Sequence, residues 1–335
     1  MGTVFIARLY CAESACEQGF DTVGEVLHRV DSLMSVYHES EITRINAVSG
    51  SKAFMQRVSP ETLEVLAAAH EIARLSEGLF DPTVLPLLKA QRLFREDFSV
   101  EVSPAGREAV LAALSLVDYR ELVIKDHLAG LRRKGMALDL GAIAKGYSLD
   151  LITKKLKELQ ISAFVLNFGG QLAVFGVSET TQIYDPLTPD RLLATCTLTS
   201  GSLSVSAQDK RFVTHAGKRR GHLLNPKTGE SEDKTTLALV YHSSAMQADG
   251  WSTALFFSHG DEFRRLADGQ KIAALHVTEN NAPVLSAEEP DLPPRPLAPI
   301  GYSPHLYRFA AERKYIPCSS SRSEKYGATP AGTLA

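Results

Sequence analysis

Apolar and polar residues alternate loosely from Thr3 to Cys11, the period of a strand with one covered face. From Asp21 to Met34 the period lengthens. Val23, Val26, Leu27, Val30 and Leu33 with Met34 fall on one stripe, which predicts a helix. Ser59 and Pro60 mark the next helix start, because a serine hydroxyl accepts a free amide and proline has no amide to leave unpaired. That helix is expected to run to Leu75 and to stop at Gly78. Leu85–Phe94 and Ser103–Leu114 predict two more helices, the second opened by Pro104. Val117–Lys125 and Leu128–Arg132 predict strands around a turn, and Tyr147–Leu159 is an amphipathic run. Ser162–Phe168 and Leu172–Gly176 predict strands flanking Gly169 and Gly170. Leu192–Ser206 is β-branched and alternating, and Leu237–Tyr241 is a strand ahead of a helix that carries Asp249. A short helix over Asp261–Ala267 and a closing strand over Lys271–Thr278 complete an α+β pattern without internal repeats.

Composition adds bounds. The chain has 335 residues, 44% hydrophobic and 22% charged, which is ordinary for a globular protein with a sizeable core. A net charge of −3 gives no pull toward nucleic acid or anionic lipid. Cys11, Cys16, Cys196 and Cys318 lack C-x-x-C spacing, which excludes a zinc site or disulfide scaffold; one bridge or buried thiols are expected. No signal peptide and no apolar run long enough to span a membrane are expected. Past Ser286 the pattern changes: residues 288–299 are proline-rich and expected to be extended, and residues 318–335 are small and polar and expected to be disordered.

Two stretches carry candidate chemistry. In Leu138–Asp150, Asp139 looks buried and leads into the small-residue turn Gly141–Ala144, then Lys145 and Gly146. Small residues there let backbone approach a ligand, a helix start favours phosphate, and Lys145 adds a charge; a tight turn with a solvated lysine is the alternative. In Ala248–Phe257, Asp249 stands four residues before Thr253, with Ser252 beside it. On a helix these share a face, and such hard oxygens suit Mg2+ better than zinc. The alternative is an acid favoured by the helix dipole with a threonine bonded back into the helix.

Together with these, Met1-Gly-Thr3, the segment Leu33–Asn46 (LMSVYHESEITRIN), Gly78–Val84 (GLFDPTV), Asn167-Phe-Gly-Gly170, and His222–Gly229 (HLLNPKTG) occur in the order and spacing of one family. Over residues 1–285 the chain resembles the ApbE-like FAD:protein FMN transferases. The resemblance implies a T-fold-like core with inserted helices, an FAD-binding domain over 1–285 and a tail over 286–335. It implies Mg2+-dependent transfer of the FMN part of FAD onto a threonine or serine of an acceptor flavoprotein carrying an S/T-G-A-T type site, with AMP leaving. Metal positions fall on Ala142 through its carbonyl, Asp249, Ser252 and Thr253. Flavin positions fall on Met1, Tyr37, Leu79, Phe80, Asp81, Asp139, Lys145 and Leu223, with Tyr37 and Phe80 offering rings to stack and Asp139 accepting from adenine or ribose. His222 is the candidate base, since its pKa lies near working pH, and Asp249 shares the role less well.

The family's members are commonly exported and often held to the membrane by an N-terminal lipid. This chain starts on the motif that usually follows the export segment, so either that segment is missing or the protein works inside the cell. Gln171 and Asn225 stand where the family has acids. If either acid orients a catalytic group, the alternatives are a hydrolase splitting FAD into FMN and AMP, or a flavin-binding protein without turnover. Tyr326–Thr329 partly matches an acceptor site, which raises self-modification at Thr329 beside the simpler reading of an inert tail.

Overall fold

The computed structural model describes residues 4–94, 103, 105–188, 190–207, 212–215, 218–232, 235–278 and 283–285. Met1, Pro104, and the tail with Thr329 lie outside the described residues.

Strand β1 (Phe5–Leu9) leads into α1 (Glu13–Met34), which begins earlier than Asp21. Its start carries no sequence signal because the cap residue, Ala12, has no side-chain acceptor. A Cys11–Cys16 disulfide spans that start, and Gly19 packs so closely that a Cβ would lie 2.7 Å from Leu9 and Ile161 side chains. Helix α2 (Glu41–Ala47) is set by a reciprocal cap: Thr43 N–H donates to Ser40 Oγ at 3.1 Å and Ser40 N–H donates to Thr43 Oγ1 at 2.8 Å. After β2 (Gln56–Arg57), α3 (Pro60–Leu75) starts as expected, with Thr62 N–H donating to Ser59 Oγ. Helix α4 (Leu85–Ala90) stops short of Phe94 because Arg92 turns to a positive φ of 60°. Helix α5 (Arg107–Leu114), a 3-10 turn at Tyr119–Glu121, β3 (Leu122–Lys125) and β4 (Leu128–Leu131) follow, and β2-β4-β3 form a small antiparallel sheet.

Next come α6 (Ala144–Glu158), β5 (Phe164–Phe168), β6 (Gln171–Tyr184), β7 (Leu192–Ala207), β8 (Phe212–His215), β9 (Lys218–Gly221), β10 (Thr235–His242), α7 (Ala245–Phe256), α8 (Asp261–Gly269), β11 (Ala273–Thr278) and β12 (Pro283–Leu285). The order β1-β5-β6-β7-β10-β11-β12 makes one seven-stranded sheet, antiparallel throughout. Strand β6 does not end at Gly176, as expected from sequence. Gly176 adopts a positive φ of 71° with Ser162 O packed where a Cβ would be, the register shifts, and pairing resumes from Glu179.

Both faces of this sheet are apolar. Phe164, Leu166, Phe168, Ala238 and Val240 point into the main core with α1, α3, α6 and α7. Their sequence neighbours Val165, Leu237 and Leu239 point the other way, into a second cluster with Leu275 and Val277. Ile183 and Leu198, from the far half of the β6–β7 hairpin, join that second cluster. Full burial of a Phe, Leu or Ile side chain stabilises by about 1.5–3 kcal/mol, so the doubly covered sheet is the rigid floor on which α6 and α7 lie.

Candidate functional site

Helices α6 and α7 run antiparallel in near contact: Lys145 meets Asp249, while Asp150 meets residues 244–246. Gly146 makes this approach possible. A Cβ there would lie 2.2 Å from Ala245 O and 2.7 Å from Met246 Cα. The glycine that follows Lys145 is thus room for the neighbouring helix.

Each helix caps the other. Asp249, on α7, accepts from Gly146 N–H in the first turn of α6 at 3.0 Å. Asp150, on α6, accepts from Ala245 N–H at 2.7 Å, Met246 N–H at 2.9 Å and the Ser244 hydroxyl at 2.6 Å at the start of α7. Both carboxylates satisfy amides that a helix start leaves unpaired, and both sit at the positive end of a helix dipole. Asp249 is thus not an acid in the first turn of its own helix, as the dipole alternative had it. Lys145 completes the site. Its ammonium donates to Asp249 Oδ1 at 2.9 Å, Oδ2 at 3.1 Å and Gly141 O at 3.0 Å, so it is paired rather than solvated.

The expected metal set is only partly assembled. Ser252 is fully buried and its hydroxyl faces away from the Asp249 side chain, donating to Asp249 O at 2.9 Å and lying 2.8 Å from Ser206 Oγ and 3.2 Å from Ser204 Oγ. The threonine does bond back: Thr253 Oγ1 reaches the Asp249 carbonyl at 3.5 Å. The carbonyl that accepts from the ammonium is that of Gly141, next to the expected Ala142.

The turn before α6 is held by two other motifs. Asn46 clamps Leu138 as a strand would, with Leu138 N–H donating to Asn46 Oδ1 at 2.7 Å and Asn46 Nδ2 donating to Leu138 O at 3.0 Å. Asp139 N–H donates to Pro82 O at 2.8 Å, and Val84 pairs with Ala137. Asp139 is half-buried rather than buried, and its Oδ1 accepts from Gly141 N–H at 2.8 Å, an Asx turn that shapes the loop.

Of the expected flavin residues, Tyr37 is 50% exposed and stacks on Phe94 with ring centres 4.8 Å apart. Leu79 and Phe80 lie in the main core; Phe80 is 2% exposed, so its ring packs on protein instead of waiting to stack on a ligand. Asp81 is also buried and uses both oxygens on the chain. Oδ1 accepts from the Thr83 hydroxyl at 2.6 Å and Thr83 N–H at 2.8 Å, and Oδ2 from Tyr119 N–H at 2.9 Å. Burial pushes its carboxyl up to about 6, against those hydrogen bonds. Leu223 packs on the main core, and His222 beside it is half-buried in the segment after β9.

The two departures have local explanations. Asn225 Oδ1 accepts from Lys227 N–H at 2.9 Å in a turn closed by Gly229 at a φ of 76°, work that an amide oxygen does as well as a carboxylate. Gln171 is 3% exposed, and its Nε2 donates to Ala245 O at 2.7 Å, which an ionised acid cannot do. Its Oε1 has no hydrogen-bond partner among the described residues. Asp150 and Asn46 stood in the motifs without an assigned role; an acid on α6 facing a helix start became visible only with both helices in place.

This fold is that of solved flavin transferases. The apo structure of the flavinyl transferase ApbE of Pseudomonas stutzeri matches with a TM-score of 0.73 at 25% identity, covering 86% of this chain and 92% of that one. The ApbE protein of Thermotoga maritima matches in fold with a TM-score of 0.76 at 24% identity, covering 85% and 94%. In sequence, a Klebsiella pneumoniae (strain 342) protein named FAD:protein FMN transferase is 26% identical over 295 residues, 86% of this chain and 90% of its own length. The ApbE family profile matches residues 1–276, and the chain belongs to the ApbE family.

Proposed function

We propose that this chain is an FAD:protein FMN transferase, using Mg2+ to move the FMN part of FAD onto a threonine or serine hydroxyl of an acceptor flavoprotein. The observation that carries the reading is the meeting of Lys145, Asp249 and the Gly141 carbonyl at the crossing of α6 and α7. Three oxygens, one pair of them anionic, surround a single positive charge there. That donor set is hard and suits Mg2+, so the residues fit the ion. Asp249, the carbonyls of Gly141 and Ala142, and the Thr253 hydroxyl would hold it, while Ser252 supports the helix from β7. When bound, the ion would neutralise charge on the pyrophosphate and orient it.

The chain's own groups supply the rest. Lys145 offers a charge to a phosphate oxygen. The acceptor hydroxyl oxygen forms a bond to the FMN-side phosphorus, the bond from that phosphorus to the bridging oxygen breaks, and AMP leaves with that oxygen. His222 takes the hydroxyl proton. Tyr37, standing out from the surface, offers an aromatic face. The segments 79–84 and 137–141 are tied together by the bond from Asp139 N–H to Pro82 O and by the Val84–Ala137 bridge, while Asp81, Asp139 and Asn46 hold the turns around them and so orient the pocket wall. The domain is proposed to end near residue 285, with the rest as a tail.

The test is AMP release from FAD and Mg2+, with and without a threonine-bearing S/T-G-A-T peptide, read with the peptide's intact mass. Peptide-dependent AMP with a mass gain of one FMN is expected. AMP at the same rate without peptide would mark a pyrophosphatase, and bound flavin with no AMP a binding protein.

A further inference from the structure

We propose that Lys145 is an exchangeable counter-cation: its ammonium holds the metal's position on Asp249 until a divalent ion displaces it, and it is then released toward the pyrophosphate. The inference rests on the metal reading above and adds an order and a coupling to it.

The Asp249 side chain is 5% exposed. A carboxylate so buried is costly without compensating positive charge, so some cation has to accompany it in every state. Two groups compensate it now, a neutral backbone donor and one cation. The Gly146 N–H is fixed in the backbone of α6 and stays with Oδ2. The Lys145 ammonium is different in kind: it ends a flexible four-carbon stem, its side chain is 25% exposed, and it has a path out. Its contacts at 2.9, 3.1 and 3.0 Å fill the space between Asp249 and the Gly141 carbonyl. A divalent ion ligated by the same oxygens would sit within a few ångströms of the ammonium, and like charges that close repel strongly in a partly buried setting. The two cations therefore exclude each other.

Displacement alone leaves Lys145 without its carboxylate. A pyrophosphate at the mouth of the site gives it a new anionic partner. Metal and nucleotide should then strengthen each other's binding, and by reciprocity to the same factor. A metal alone must compete with the lysine; a metal arriving with a pyrophosphate need not.

The test uses the full chain with Mn2+ as the metal probe and ADP as a pyrophosphate carrier with no flavin to transfer. Free Mn2+ is read by electron paramagnetic resonance. Without ADP, Lys145→Met is expected to bind Mn2+ at least about ten-fold tighter than wild type, and ADP is expected to improve Mn2+ binding by a larger factor in wild type than in the variant. Equal or weaker Mn2+ binding by Lys145→Met would overturn the exchange. Asp249→Asn separates the two readings: if it binds Mn2+ like wild type, the metal assignment fails and the exchange with it. Loss in Asp249→Asn with no change in Lys145→Met sinks the exchange alone. A measurement on wild type covers the case of a variant that does not fold. Brief acetylation followed by peptide mass spectrometry should show Lys145 modified several-fold faster in Mg2+ than in sodium at equal ionic strength, and an unchanged rate would overturn the proposal.

Discussion

Gly146→Ala tests the reading of the α6–α7 contact, because helix propensity and packing predict opposite signs. In a helix interior, alanine is favoured over glycine by about 1 kcal/mol. Here the new Cβ would stand 2.2 Å from Ala245 O, 2.6 Å from Ala245 C and 2.7 Å from Met246 Cα, all backbone atoms that cannot rotate away. Ordinary carbon contacts begin near 3.5 Å, so the helices must part by about 1 Å. Hydrogen bonds that now span 2.7–3.0 Å would stretch past useful length. Those at risk tie Gly146 to Asp249, Asp150 to Ala245 and Met246, and Gln171 to Ala245. Losing two charge-assisted bonds at about 2 kcal/mol each, less about 1 kcal/mol of propensity, leaves a net loss of about 3 kcal/mol. For a chain of this size, with an unfolding entropy of about 0.6–0.7 kcal/mol/K, that lowers the melting temperature by roughly 4–5 °C. Trp251 is the only tryptophan and lies on α7, so urea unfolding followed by its fluorescence reports from the affected helix. Wild-type or higher stability in Gly146→Ala would refute the close-contact argument.

Three further predictions follow from neighbouring groups. Asp150→Ala should remove the caps on the Ala245 and Met246 amides of α7, leaving that of Gln247 on Ser244, and cost about 2–3 kcal/mol in the same assay; a loss below about 0.5 kcal/mol would mean that water replaces the caps freely. Gln171→Glu should destabilise by about 1–3 kcal/mol at pH 8, because a carboxylate cannot donate to Ala245 O; the loss should shrink as pH falls and the acid regains a proton, and a pH-independent stability would count against it. His276 is buried beside Thr235, His259 and Phe263, and burial lowers its pKa to about 4. A depressed histidine pKa gives stability that is present above about pH 6.5 and is lost as pH falls toward 4, about 3 kcal/mol in all. His276→Gln keeps a partner for Thr235 and should flatten that part of the curve in urea melts at pH 7, 5 and 4, whereas an unchanged slope would show that other groups, such as the His259–Glu232 pair, set it.

Where local chemistry determines structure, the sequence was readable. Ser59 and Pro60 start α3 because both act within one turn. The apolar runs of β10 and β11 were legible as strands, although they could not say that both faces are covered, since a doubly buried strand and a short buried helix look alike in an apolar run. The misses are tertiary. Gly176 reads as a stop but acts as a bulge, because the partner strand continues past it. Gly146 carries no role of its own in the sequence reading, because the helix that packs on it lies about a hundred residues away in sequence. Asp249 and Lys145 were both singled out, but their pairing with each other was not, for nothing within either motif fixes how the two helices cross. Phe80 and Asp81 were expected at a ligand and are used in packing and loop closure, a difference visible only in burial.

The Cys11–Cys16 bridge makes the surrounding redox potential a structural variable. The two residues are five apart in sequence, and closing a loop that short contributes about 2 kcal/mol on the chain-entropy account. That contribution lies at the junction between β1, an edge of the large sheet, and α1, which packs on α6. In oxidising surroundings the junction is covalently closed. In a reducing cytosol the bridge opens, and the early turns of α1 depend on the packing of Gly19 against Leu9 and Ile161. The same chain therefore has a firmer or a looser sheet edge according to where it resides, with no change in its sequence.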